Sequence, residues 1–186
     1  MRIVEVTENK KQYLDLLLLA DEQEDMVDRY LYNGKMYVLD DDGVKCECVV
    51  TDEGNGILEI KNIATVPPFQ RKGYAKALIE FLVEKYRGQF SILQVGTGDS
   101  PLTIPFYEKC GFVRSYIVPN FFTDHYDHPI YEWCTPCRYG LFAKTSIKQI
   151  PICRFDLQAG YTAPRPSRIF CIKNSPLSVT KAGNCY

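Results

Sequence analysis

Apolar positions change period several times along the chain, and each change marks an element. Residues 1–6 alternate Ile3 with charged neighbours and predict a short strand. Tyr13, Leu14, Leu17 and Leu18 recur at helical spacing, as do Met26, Val27, Tyr30 and Leu31, so two helices follow, the second stopped by Asn33-Gly34. Residues 36–39 predict a strand, 40–43 a turn into a strand over 44–51, and Gly54-Asn55-Gly56 a turn into a third over 57–66. Together these make an antiparallel meander. From 73 to 86, Ala77, Leu78, Phe81, Leu82 and Lys85 trace a helix, and 91–95 a short strand of the buried type. Residues 101–110 predict a short helix ended by Gly111, and 112–118 with 137–143 a closing strand pair. Strands first, then alternating helices and strands, predict an α/β chain of α+β type built on a mixed sheet.

Composition narrows the class. With 186 residues and 46% hydrophobic positions, the chain can bury a sizeable core in one domain with an appendage. Its longest apolar run, Leu16-Leu17-Leu18-Leu19-Ala20, falls far short of the ~20 residues a spanning helix needs. Acids and lysines close behind Met1 give no export signal, which predicts a cytoplasmic protein whose eight cysteines are reduced. A net charge of -1 gives no field that would recruit nucleic acid or a membrane. The charge is uneven, however. From 145 onward, Lys148, Arg154, Arg165, Arg168, Lys173 and Lys181 face the single acid Asp156, with Pro151, Pro164, Pro166 and Pro176 between them. This predicts a compact acidic domain over 1–144 and a basic, proline-containing tail over 145–186 whose order the composition leaves open. Five of the eight cysteines lie from Cys134 onward.

The segment richest in chemistry runs from Asn62 to Ala75. Pro67 and Pro68 stop a strand, and Gln70-Arg71-Lys72-Gly73-Tyr74-Ala75 opens a helix. The unpaired N–H groups of a first helical turn, with the helix dipole behind them, make an anion site. Gly73 and Ala75 let the backbone approach a phosphate, and Arg71 and Lys72 add positive charge. Neither a Gly-Lys-Ser/Thr loop nor a three-glycine dinucleotide pattern is present.

Gln70-Arg71-Lys72-Gly73-Tyr74-Ala75 resembles the Q/R-x-x-G-x-G/A signature of the GNAT superfamily of N-acetyltransferases. Asn62-Ile63-Ala64-Thr65-Val66-Pro67 is similar to the family's preceding strand end, and Phe106-Tyr107-Glu108-Lys109-Cys110-Gly111-Phe112 to its F-Y-x-K-x-G-F segment. The resemblance covers residues 1–144 in element order. It implies direct transfer of an acetyl group from acetyl-CoA to the amine of a small molecule or peptide. The cofactor would sit where two neighbouring parallel strands, 57–66 and 91–95, splay apart. Backbone N–H groups of Gln70 through Ala75 would hold its pyrophosphate, and Thr65 and Val66 would pair with the pantetheine amides. Asp99, where the family usually has Asn, joins the cofactor contacts, and homodimers are common in the family.

The same resemblance gives Tyr107 the task of protonating the departing thiolate, which suits a phenol with a reference pKa of about 10. An amine must lose a proton before it attacks, and Glu59 matches the position of a family base, with Asp124, Asp127 and Glu132 as substitutes. Pro105 would remove a helical hydrogen bond just before Tyr107. A non-catalytic acyl-CoA-binding or sensing module on the same fold is the alternative reading. A third, a metal-binding interaction domain, rests on His125-x-x-His128 followed by Cys134-x-x-Cys137, although the expectation is no metal. Cys46 and Cys48 share one strand face and read as small buried hydrophobes, and Cys110 lies beside Tyr107. The aromatic run from Tyr116 to Tyr131 predicts an acceptor-side wall.

Overall fold

The computed structural model describes residues 1–98, 100–118, 121–126, 131–132, 135–136 and 142–148. In chain order these form β1 (Arg2–Val6), α1 (Leu14–Leu17), α2 (Glu24–Leu31), β2 (Lys35–Asp40), β3 (Val44–Asp52) and β4 (Ile57–Thr65). There follow α3 (Tyr74–Lys85), β5 (Ile92–Gly98), α4 (Thr103–Lys109), β6 (Val113–Val118), α5 (Phe121–His125), β7 (Tyr131–Glu132), β8 (Thr135–Pro136) and β9 (Phe142–Lys148). Seven strands make one sheet in the order β1-β2-β3-β4-β5-β9-β6, while β7 and β8 pair separately. Within the large sheet β4 and β5 run parallel and the other neighbours antiparallel. The expected mixed α/β architecture and its antiparallel meander are therefore present.

Both faces of the sheet are covered, so apolar side chains dominate both sides of the central strands. On one face Tyr37, Leu39, Cys46, Cys48, Val50, Leu58, Ile60, Leu93 and Val95 pack under Leu78, Ile79 and Leu82 of α3, with Tyr107 and Phe112 alongside. On the other, Met36, Val38 and Val49 meet Leu17 of α1 and Val27 and Leu31 of α2. Each fully buried large apolar side chain contributes roughly 1.5–3 kcal/mol relative to exposure. Cys46 and Cys48 are buried free thiols, as their shared face predicts.

Two expectations change, and the zinc reading falls mostly outside the described residues. The last strand is not 137–143 but β9, which inserts between β5 and β6 and pairs with both, Leu93 opposite Ile147 and Val113 opposite Ser146. It runs past the boundary drawn after Lys144, while 149–186 lie outside the described residues. Pro105 does not break the helix before Tyr107. Because α4 begins at Thr103, Pro105 stands in the first turn, where a backbone N–H has no intrahelical partner to lose. Of the four proposed zinc ligands, His128, Cys134 and Cys137 lie outside the described residues. His125 stacks on Phe121, its Nδ1 lying 2.8 Å from the Phe121 carbonyl. Among the described residues no cluster of three or more His, Cys, Asp or Glu side chains could hold a metal.

Candidate active site

The parallel pairing of β4 with β5 covers four residue pairs, from Ile57–Ile92 to Ile60–Val95, and then stops although both strands continue. At the same point the β3–β4 register shifts, so that Val50 faces Ile60, Val49 faces Asn62, and Lys61 is left over as a bulge. A bulge bends its strand, and here the bend coincides with the separation of β4 from β5. Beyond it, Cys48, Glu47 and Cys46 of β3 face Ile63, Ala64 and Thr65 in turn, leaving the opposite edge of β4 without a strand. The Val66 N–H donates to the Lys45 carbonyl at 2.9 Å, and the Val66 carbonyl accepts from the Phe69 N–H at 2.8 Å. Both backbone groups of Val66 are thus engaged within the chain. By the alternation of an antiparallel ladder, Ile63 and Thr65 turn their N–H groups to the open edge instead. Ile63 was not among the expected site residues, and counting back from Val66 in steps of two excludes its neighbours and finds it.

Just past this edge the chain makes one 3-10 turn over Pro67–Phe69, and the Gln70 N–H closes it onto the Pro67 carbonyl at 3.2 Å. Arg71 and Gly73 then take left-handed backbone angles, φ 62° and 93°, and aim the chain into α3. The first helical bond runs from the Ala77 N–H to the Gly73 carbonyl at 2.9 Å, and no side chain caps the helix. The amides from Arg71 to Lys76 therefore precede the helical ladder as a run of uncapped donors. A Cβ built on Gly73 would have no atom within 4 Å, so the loop faces open space. Lys45 and Lys72 hold their Nζ atoms 4.2 and 5.0 Å from the centre of the Phe69 ring. Tyr74 is anchored by a 2.9 Å bond from its hydroxyl to Asp41 Oδ2.

Tyr107 of α4 is buried, its ring edge-on to Phe106 and Phe112. Burial first, then the nearby Cys48, Cys110 and Cys46, pushes its phenol above the ordinary value and keeps it protonated. Cys46 ties this group to β4, because the Thr65 hydroxyl donates to Cys46 Sγ at 3.2 Å. Burial pushes the Cys46 thiol up to about 12 and raises Cys48 and Cys110 as well. Thiols held protonated are poor nucleophiles, which weighs against an acyl-cysteine intermediate.

Glu59 is buried on β4, two residues before the bulge. The side-chain amide of its β5 partner, Gln94, donates to one carboxylate oxygen, and Lys61 Nζ lies 3.1 Å from the other. Lys61 also reaches Glu53, at 3.0 Å. Neither Gln94 nor Lys61 was anticipated, and only the strand register reveals them. Among the suggested substitutes, Asp124 is an exposed residue of α5, Glu132 lies on β7, and Asp127 is outside the described residues, as is Asp99.

A splayed parallel pair with an uncapped helix N-terminus at its mouth sets an open strand edge beside an anion-binding donor set. Comparison with known proteins agrees. Residues 32–114 match the acetyltransferase (GNAT) domain. The chain is 36% identical over 141 residues, 74% of its length and 91% of the relative's, to the uncharacterized N-acetyltransferase YvbK of Bacillus subtilis (strain 168). A crystal structure of a Bacillus subtilis acetyltransferase in complex with CoA shares 33% identity and a TM-score of 0.72, covering 80% of this chain and 99% of that one. A GNAT family acetyltransferase from Elizabethkingia anophelis with acetyl-CoA bound shares 30% identity and a TM-score of 0.74, covering 79% and 97%. The chain belongs to the GNAT family of acetyltransferases, and the expected enzyme class, acetyl transfer, is borne out.

Proposed function

We propose that this chain transfers the acetyl group of acetyl-CoA directly to the primary amine of a small molecule or peptide. The observation that carries this reading is the adjacency of two open donor sets, the bare edge of β4 after the bulge and the uncapped amides of residues 71–76. A pantetheine chain laid along that edge would bond to Ile63 and Thr65, and the pyrophosphate would meet the amides from Arg71 onward. The bound CoA and acetyl-CoA of the two solved relatives support this assignment.

In the reaction, the amine nitrogen forms a bond to the thioester carbonyl carbon and the carbon–sulfur bond breaks. We assign Glu59, oriented by Gln94 and Lys61, to take the amine's proton directly or through water. We assign Tyr107, held protonated, to supply the proton the thiolate needs. An open-edge amide of β4 would stabilise the oxyanion of the tetrahedral intermediate. Among the described residues no helix is long and apolar enough to cross a membrane, and Cys46, Cys48 and Cys110 are free thiols. These features suit the reducing cytoplasm.

The test is calorimetric titration with acetyl-CoA, followed by free-thiol release over a panel of primary amines. Saturable binding and amine-dependent thiol release are expected. Absence of acetyl-CoA binding would sink the reading, and binding without release for any amine would leave only a CoA-binding module.

A further inference from the structure

On the sheet face under α1 and α2 lies a polar cluster that the acetyl-transfer machinery does not use. Glu47 of β3 is wholly buried, and among the described residues neither of its carboxyl oxygens has a hydrogen-bond partner. The Ala64 amide favours the charged form of Glu47 without completing a bond to either oxygen. Asn62 of β4 is 2% exposed, and its Oδ1 also has no partner among the described residues. Glu47 stands opposite Ala64, and Asn62 lies two residues before Ala64, so the two side chains are diagonal neighbours on one face. The Asn62 amide group is fixed, donating to the Leu17 carbonyl at 3.0 Å and to the Tyr30 hydroxyl at 2.8 Å. Tyr30 in turn donates to Asp21 Oδ2 at 3.2 Å, and Tyr126 to Asp21 Oδ1 at 3.0 Å.

Three buried oxygens without donors are costly, because buried polar groups are nearly always paired. With Glu47 ionised, all three are acceptors. No cationic side chain acts on Glu47 among the described residues. The titratable groups around it are Tyr30, Cys46 and Cys48, with Asp21 beyond Tyr30. What fits three open acceptors and one acid is a cation with three N–H donors and no acceptor, and an alkylammonium group is that cation.

We propose that Glu47 and Asn62 form the subsite that receives a protonated primary amine of the acceptor, an alkylammonium whose N–H groups fill the three open oxygens. This rests on the reading of the chain as an amine acetyltransferase. Glu47 lies level with the cofactor edge along β4, since Ala64 opposite it lies between Ile63 and Thr65, with β3 and the open edge flanking β4 on opposite sides. Asp21, in the connection between α1 and α2, joins the cluster by accepting from the two tyrosine hydroxyls. Burial pushes the Glu47 carboxyl up to about 8, so receiving an ammonium ion at neutral pH should release its proton to solvent.

The test uses the full chain labelled with carbon-13 at glutamate carboxyls, the Glu47 resonance being identified by its loss in Glu47→Gln. Titration with n-butylammonium chloride at neutral pH should move that resonance saturably toward the carboxylate position, and 1-butanol should not. Asn62→Ala should weaken the response roughly tenfold, as expected for loss of a hydrogen bond to a charged group. With any amine that is turned over, Glu47→Gln should raise KM more than it lowers kcat. A resonance unmoved by n-butylammonium, moved equally by 1-butanol, or unaffected by Asn62→Ala overturns the subsite. Acetyl-CoA calorimetry on the same samples keeps the two ideas apart. Failure of the wild-type chain to bind acetyl-CoA strikes the transferase reading, while intact binding with a silent Glu47 strikes the subsite alone.

Discussion

Glu59 and Gln94 face each other one residue before the parallel pairing of β4 and β5 ends, and the Gln94 side-chain amide donates to the Glu59 carboxylate. The bond joins the two strands at the fork where they part, so the carboxylate assigned as base is held by the element that creates the cofactor opening. Replacing Glu59 with Gln keeps the shape and removes the proton acceptor. Steady-state kinetics should show kcat lower by about a hundredfold, with the acetyl-CoA dissociation constant little changed. An unchanged kcat removes Glu59 from its role.

Tyr107→Phe deletes one hydroxyl and leaves the ring contacts with Phe106 and Phe112 in place. Folding should survive, and kcat should fall by roughly tenfold to a hundredfold while cofactor affinity holds. Thiol-release assays beside calorimetry separate the two effects. Equal losses in both would mean that Tyr107 serves packing or binding instead of proton transfer.

Gly73 adopts φ 93°, and a Cβ at this position would meet only open space, so Gly73→Val strains the backbone without a clash at that atom. The strain should cost about 1–2 kcal/mol, read from denaturant unfolding. Acetyl-CoA binding should be lost far beyond that cost, since the valine would fill the approach to the amides. Retained affinity would contradict the phosphate-site assignment.

Burial raises the Glu47 carboxyl from its ordinary 4.5 to about 8, the neighbouring Ala64 amide offsetting only part of the shift. Below 4.5 the group is protonated in both folded and unfolded chains and favours neither. As pH rises toward 8 the unfolded chain ionises first, so folding stability falls, by up to about 1.4 kcal/mol per pH unit. Glu47→Gln should abolish this dependence and exceed the wild type in stability at pH 8 while matching it near pH 4.5. Parallel stability profiles for the two proteins would rule the titration out.

Local signals carried much of this site. Pro67, Pro68 and Gly73 punctuate one strand-to-helix junction, and each acts within a few residues, so the loop from Gln70 to Ala75 and the start of α3 were legible. What stayed hidden depends on partners distant in sequence. The insertion of β9 between β5 and β6 follows from pairing with both, and nothing within residues 137–143 reveals that Phe142–Lys148 pairs instead. Glu47 sits between Cys46 and Cys48 and drew no notice in the sequence, because its burial shows only once α1 and α2 cover that face. The bulge at Lys61, which opens β4, shows only in the register with β3.

Amide hydrogen exchange with and without acetyl-CoA reads the opening residue by residue and tests the cofactor assignment most directly. Bound acetyl-CoA should slow exchange at Ile63, Thr65 and the amides from Arg71 to Lys76, and leave Val66, already bonded to Lys45, unchanged. Saturating acetyl-CoA with no protection along that edge and loop would contradict the account.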